Sequence, residues 1–272
     1  MKQQAELALK HLQSTSEDEY DAIHEARKCF KRLRACYLLL KPTDKSASLR
    51  GNKFFRELAV ALSTQRDSQV QYKLLEELCA AHPHLEELSE ARQLTQVLMS
   101  EIDQHKAVNR EIVASVCDEL EHYLQKRRYE LATPPNLKAV LLGMRDNYID
   151  CRKMWKKAFQ LRTGESFHDW RKRVKNEFYY TQLLSKSSEE RRRVKSLDKL
   201  GELLGEYHDR SLLQWRLKEM EIDNSPLFKV TVRQQKKLLS LADKEARRLF
   251  DVKGHEHVKL LSKRVQNTFE SH

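Results

Sequence analysis

Ile23-His-Glu-Ala-Arg-Lys-Cys-Phe-Lys-Arg-Leu-Arg34 decides how this chain is read, because its pattern returns as Phe167-His-Asp-Trp-Arg-Lys-Arg-Val-Lys-Asn-Glu-Phe178. On an α-helix, advancing about 100° per residue from His24 brings Arg27, Lys28 and Lys31 to within roughly 60° of it, with Arg34 just beside them. Ile23, Ala26, Phe30, Leu33 and Tyr37 gather on the far side, where a bundle core belongs. The second copy repeats the division, with His168, Arg171, Lys172 and Lys175 on one stripe and Phe167, Trp170 and Val174 opposite. Phe30, Leu33, Trp170 and Val174 are therefore expected in the core. Neighbouring like charges on a helix repel by a few tenths of a kcal/mol per pair. A stripe of them kept twice, without an interleaved acid, calls for an external anion.

Outward from that stretch the duplication continues. Leu58-Ala-Val-Ala-Leu-Ser-Thr-Gln-Arg-Asp67 matches Leu200-Gly-Glu-Leu-Leu-Gly-Glu-Tyr-His-Asp209, at nearly the offset of the first pair. Arg50 and Lys53 then correspond to Arg192 and Lys195, each pair one helical turn apart and so on one face. Arg56 extends the first face; its counterpart is Asp198, beside which Lys199 can substitute. Two matches in one order define two related halves, residues 1–132 and 133–272. The copies differ at the end of the stripe, where Arg34 faces Phe178 and the preceding positions become Asn176 and Glu177. The second stripe is the shorter, and binding is expected to lean on the first half.

The rest of the chain reads as helix. With 272 residues and 40% hydrophobic content it can bury a core, and only 6 Gly and 5 Pro interrupt residues that lose little rotamer freedom in helices. Helices are expected at Ala5–Gln13, from a capping box at Ser16-Glu-Asp-Glu19 to about Lys41, and at Ser48–Gln65, Asp67–Ala81, His84–Gln104 and Lys106–Ala132. Thr133-Pro-Pro-Asn136 breaks the pattern, one proline stopping a helix and the next opening another. Leu137–Leu161, Ser166–Ser185, Ser188–Tyr207, Asp209–Ile222, Leu227–Asp251 and His255–Phe269 follow. Asp67 and Asp209 read as helix caps rather than catalytic acids. No segment alternates long enough for a strand.

Charge points to the partner. The excess of 51 Lys+Arg over 40 Asp+Glu, a formal net charge of +11, favours an acidic one. Cys29, Cys36, Cys79, Cys117 and Cys151 form no C-x-x-C pair and no zinc spacing, as suits buried thiols in a reducing compartment. No signal-type run opens the sequence and no segment reaches transmembrane length, so the expected location is the cytoplasm.

The H-x-x-R-K-x-x-K stretch in both halves, each followed by an L-x-x-x-(R/H)-D segment, resembles the CHAD family, the conserved histidine α-helical domain. The resemblance runs from about Tyr20 to at least Leu213. It implies an all-α fold of two four-helix bundles related by a pseudo-twofold axis, with basic helices lining a central cleft or pore that binds inorganic polyphosphate. Carried over by position, it implies His24, Arg27, Lys28, Lys31 and Arg34 with Arg50, Lys53 and Arg56 as ligands from the first half. From the second it implies His168, Arg171, Lys172 and Lys175 with Arg192 and Lys195, and association with polyphosphate granules is expected.

Other classes fit less well. A histidine among cations could accept a phosphoryl group, but there is no G-x-x-x-x-G-K-[ST] loop, no G-x-G-x-x-G, no carboxylate cluster for Mg²⁺ and no Glu-x-Glu-x-Lys motif. The expectation is a non-enzymatic binder with no cofactor. Nucleic acid lacks a helix-turn-helix, RNP aromatics or a zinc finger to read it, leaving weak, non-specific binding; Trp155 and Tyr179 suit the core or its edge. His82-Pro-His84 and His255-Glu-His257 hold histidines two apart, which a helix points away from each other, so these read as surface residues and not metal ligands. The basic stripes oppose core residues and leave no spare apolar face for a membrane.

Overall fold

A computed structural model describes residues 1–14, 19–85, 88–126, 134–183 and 187–269, with positions 64–67, 105–109, 258 and 263–269 described by their backbone alone. Among the described residues the protein is all-helical, and no strand is present. The helices are α1 (Lys2–Gln13), α2 (Glu19–Leu39), α3 (Lys45–Ala61), α4 (Thr64–Ala81), α5 (Ser89–Lys126), α6 (Leu137–Leu161), α7 (Gly164–Leu183), α8 (Ser188–Glu219), α9 (Pro226–Leu249) and α10 (Gly254–Phe269), with a 3₁₀ turn at Pro83–Leu85.

Side chains set several helix starts. Asp44 Oδ1 accepts from Ala47 N at 2.9 Å ahead of α3, and Asn136 Oδ1 accepts from Ala139 N at 2.8 Å ahead of α6. Asn136 is thus the cap, and both prolines precede α6 rather than opening it. Ser187 and Glu190 form a reciprocal capping box at α8, at 2.9 and 3.1 Å, and Ser225 caps α9. The expected box at Ser16–Glu19 begins outside the described residues.

Two expected boundaries are absent. One helix, α5, covers residues 89–126, and α8 runs unbroken from Ser188 to Glu219. Asp209 therefore lies inside α8 and caps nothing, and Asp67 sits three residues into α4. The polar stretches at 104–106 and 207–209 interrupt the apolar rhythm but contain no Gly or Pro, so nothing in the backbone ends the helix there.

The chain forms two compact units. The first comprises Met1–Arg34, Arg50–Glu130 and Asp209–Gln234, the second Ala35–Leu49, Leu131–His208 and Gln235–His272. In the first, α5 packs against α1 and α4. Leu74, Leu75 and Leu78 of α4 meet Leu94 and Leu98 of α5 and Leu213, Leu217 and Leu227, all buried. Phe30, Phe54, Phe55 and Tyr123 form an aromatic group, with Phe55 and Tyr123 edge to face at 5.0 Å. In the second, α6 packs on α7 and α10. Trp170 and Val174 are fully buried there with Tyr148, Phe167, Leu197, Leu200 and Phe250. Phe30, Leu33, Trp170 and Val174 are all core as expected, and Trp155 and Tyr179 pack at its edge.

Candidate functional site

In the first unit, burial of Ile23, Ala26, Phe30 and Leu33 fixes which face of α2 is left over. That face carries His24, Arg27, Lys28, Lys31 and Arg34, all half-buried. Arg27 Nη1 donates to the Ala59 carbonyl of α3, and Arg34 Nε donates to Asn52 Oδ1, 3.2 Å away. The guanidiniums thus lie across α3, which itself exposes Arg50, Lys53 and Arg56. Burial, and then the charge of Arg56, pull the Arg34 guanidinium below its ordinary pKa. These eight residues all belong to one unit. His24 stacks on Tyr20 with ring centroids 6.3 Å apart.

The second unit repeats the plan with different means. His168, Arg171 and Lys175 are half-buried on α7 and Lys172 is exposed, while Arg192 and Lys195 are exposed on α8. Here α8 offers Gly201 and Gly205, one turn apart. A Cβ at Gly201 would sit 2.7 Å from Lys175 Cε, and one at Gly205 would sit 3.2 Å from Arg171 Nη2. The two glycines are the floor on which the basic side chains rest.

The stripes are not free of acids. Lys28 pairs with Glu25 at 2.6 Å, Lys53 with Glu57 at 3.8 Å, Lys172 with Asp169 at 2.6 Å and Lys175 with Asp198 at 3.3 Å. Hydrogen bonds from Lys28 and Lys172 hold the Glu25 and Asp169 carboxyls below the usual range, each against a smaller effect of burial. Glu25, Glu57 and Asp169 stand three or four residues from their lysines, a spacing the sequence already displays, whereas Asp198 lies 23 residues from Lys175 on the next helix. Lys199 does not replace Arg56 on the second face; its ammonium is held by Glu245 at 2.7 Å.

Two features escaped the sequence. The first is His208, whose ring lies 4.4 Å from that of His168. The signal was present, since His208 stands in the matched segment directly before Asp209. Burial first, then His168, Arg171 and Lys172, push the His208 imidazole down to about 4. Burial, Lys172 and Arg171 lower His168 as well, against a smaller pull from Asp169.

The second is a buried polar network behind the stripe. Glu177 is fully buried, with Arg193 Nη2 at 3.4 Å, His257 Nε2 at 3.6 Å and Asn147 Nδ2 at 2.9 Å. Arg193 also donates to the Leu249 carbonyl at 3.0 Å. Burial works to raise the Glu177 pKa, yet His257, Arg193 and Asn147 together hold it below the ordinary carboxylate range. His257 is no surface residue, contrary to the expectation: it stacks on Tyr148 at 3.9 Å and is 4% exposed.

Other places suit a polyanion less. An open pocket of about 290 Å³ in the first unit carries Glu76 and Asp103 against Lys73 alone. Among the described residues no group of three or more His, Cys, Asp or Glu could hold a metal ion, and no helix is long and apolar enough to cross a membrane.

The family model for the CHAD domain matches residues 2–218, which contain both stripes, His208 and Arg193. No curated protein and no solved structure matches the chain significantly.

Proposed function

Because the chain belongs to the CHAD-domain family, we propose that it binds inorganic polyphosphate through its two basic stripes and performs no chemistry on it. The observation that carries this reading is the shared arrangement of the stripes. In both, an arginine three residues after the leading histidine, Arg27 or Arg171, lies over the helix that follows, and in the first unit Arg34 of α2 is close enough to Arg56 of α3 to feel its charge.

A phosphate chain has no base edges, so recognition rests on charge spacing and on N–H donors aimed at non-bridging oxygens. Arg27, Arg34 and Arg171 supply oriented donors. Lys31, Arg50, Arg56, Arg192 and Lys195 supply charge at the rim. Twelve cations at about 0.7 kcal/mol each would give roughly 8 kcal/mol. Four lysines must first release Glu25, Glu57, Asp169 or Asp198. At about 0.4 kcal/mol for each exchange, the sum falls to roughly 6 kcal/mol, a Kd in the tens of micromolar. Either stripe alone would bind too weakly to matter. We therefore propose that the halves 1–132 and 133–272 arose by duplication and that both stripes engage one polymer. A cytoplasmic location beside polyphosphate follows from that reading.

Salt is the test. With about five phosphates neutralised at once, affinity for long-chain polyphosphate should fall roughly 100-fold between 50 and 200 mM salt, by counterion release. An affinity that barely moves would refute a multi-phosphate site.

A further inference from the structure

We infer that His208, with His168, forms a phosphate subsite that fills by taking up protons, so that polyphosphate binding to the second stripe is coupled to pH. The inference rests on the polyphosphate reading and deepens it.

The geometry carries the assignment. The two imidazoles come from different helices, His168 from α7 and His208 from α8, yet their ring centroids are 4.4 Å apart at an interplanar angle of 33°. Among the described residues no carboxylate accepts from either ring. His168 Nδ1 is buried without a hydrogen-bond partner, and Asp169, the nearest acid on α7, is spent on Lys172 at 2.6 Å. The charged groups that act on the pair are Arg171 and Lys172 from α7, with Asp169 opposing them at His168 alone. Arg171 is held beside the pair by its rest on Gly205, one turn before His208. The paired imidazoles lie among guanidinium and ammonium groups, and His168 Nδ1 has no acceptor. A phosphate oxygen is the acceptor that chemistry asks for.

The surroundings give the sign. In the free protein, burial and the neighbouring cations keep both rings neutral at neutral pH. An anion beside them favours the imidazolium and raises both pKa values, so protons pass from solvent to the rings as phosphate enters. Groups whose pKa rises on binding strengthen it as pH falls. The gain sets in below the pKa of the complex and levels off below that of the free protein. A neutral pair gives way to a protonated one only when the ligand brings at least one negative oxygen within reach, so the subsite discriminates against neutral polyols.

Calorimetric titration of the full chain with long-chain polyphosphate, at pH 6.5 in two buffers of different ionisation enthalpy, reads the proton directly. Wild-type protein should take up about half a proton per site at this pH. The His168→Asn/His208→Asn variant should take up none, and should lose most of a roughly tenfold gain in affinity between pH 7.5 and 5.5. Equal proton uptake by wild type and variant overturns the subsite while leaving polyphosphate binding in place. No heat of binding in any protein overturns the polyphosphate reading itself and the subsite with it. Should the double variant fail to fold, the imidazole ¹⁵N shifts of the unmodified protein decide. Two histidines moving to imidazolium values on adding polyphosphate at pH 7 support the pair, and unchanged shifts refute it.

Discussion

Glu177, with Asn176 and Phe178, sets the end of the second stripe apart from the first in the sequence. An acid at that point would cancel the cations if it faced them. Instead it turns into the second unit and meets Arg193, His257 and Asn147. Removing one member of a buried pair leaves the other uncompensated, so Glu177→Gln should cost about 3 kcal/mol in denaturant unfolding. The difference has a defined pH range. A carboxylate whose folded pKa is lowered adds stability that is complete above its unfolded value near 4.5 and vanishes as pH falls through the folded value. The curves of wild type and Glu177→Gln should therefore converge on acidification below pH 4.5. His208 works in the opposite range. A histidine held near 4 in the folded protein costs stability as pH drops from its ordinary value of 6.5, so His208→Asn should lose less than wild type between pH 7 and 5. Neither residue's partner could be read from the chain. Glu177 and His257 are 80 positions apart, and no periodicity links α7 to α10.

At the scale of elements, two glycines separate packing from function. Gly143 of α6 would drive a Cβ to 2.2 Å from the Leu39 carbonyl oxygen of α2, a backbone atom that cannot step aside. Gly143→Ala should cost about 3 kcal/mol, the upper range of overpacking. Gly201 faces only the end of the Lys175 side chain, which can swing away. Gly201→Ala gains up to about 1 kcal/mol of helix propensity, so its melting temperature should match or exceed wild type while polyphosphate affinity drops a fewfold. A fall in both would mean that Lys175 is locked in place. Helix identity and the core face were legible because Phe30, Leu33, Trp170 and Val174 recur at helical spacing opposite charge. The start of α6 at Leu137 is legible from Thr133-Pro-Pro-Asn136, whereas its end at Leu161 is set by Arg162 in a left-handed turn (φ 53°), which an arginine does not announce in the sequence. The lengths of α5 and α8 were not legible, since a polar stretch without Gly or Pro looks like a break and is none.

At the scale of the molecule, the proposed duplication concerns the sequence, and the compact units describe how it is buried. Leu74, Leu78, Leu94 and Leu98 share their core with Leu213, Leu217 and Leu227, which lie far beyond the repeat boundary. A fragment of residues 1–132 should therefore melt without cooperativity, and a helical, cooperative fragment would show those leucines to be dispensable. The stripes themselves follow the repeat. Sequence alone found their residues because a cation every three or four positions opposite a core face needs no tertiary information. It could not find what lies on the partner helix, such as Ala59, Gly205 or His208, because those contacts depend on how helices cross.

A dedicated site at the stripes must be told apart from a merely basic surface. α9 supplies the control, since Lys236, Lys237 and Lys244 are exposed cations outside the matched family region. The most direct measurement titrates long-chain polyphosphate into wild type, the Arg27/Lys31/Arg171/Lys175→Ala variant and a Lys236/Lys237/Lys244→Ala variant, with single-stranded DNA as competitor. A dedicated site gives at least a 30-fold loss of affinity in the stripe variant, roughly 2 kcal/mol, less than twofold in the α9 variant, and little displacement by DNA. Equal losses in the two variants, or full displacement by DNA, would contradict it.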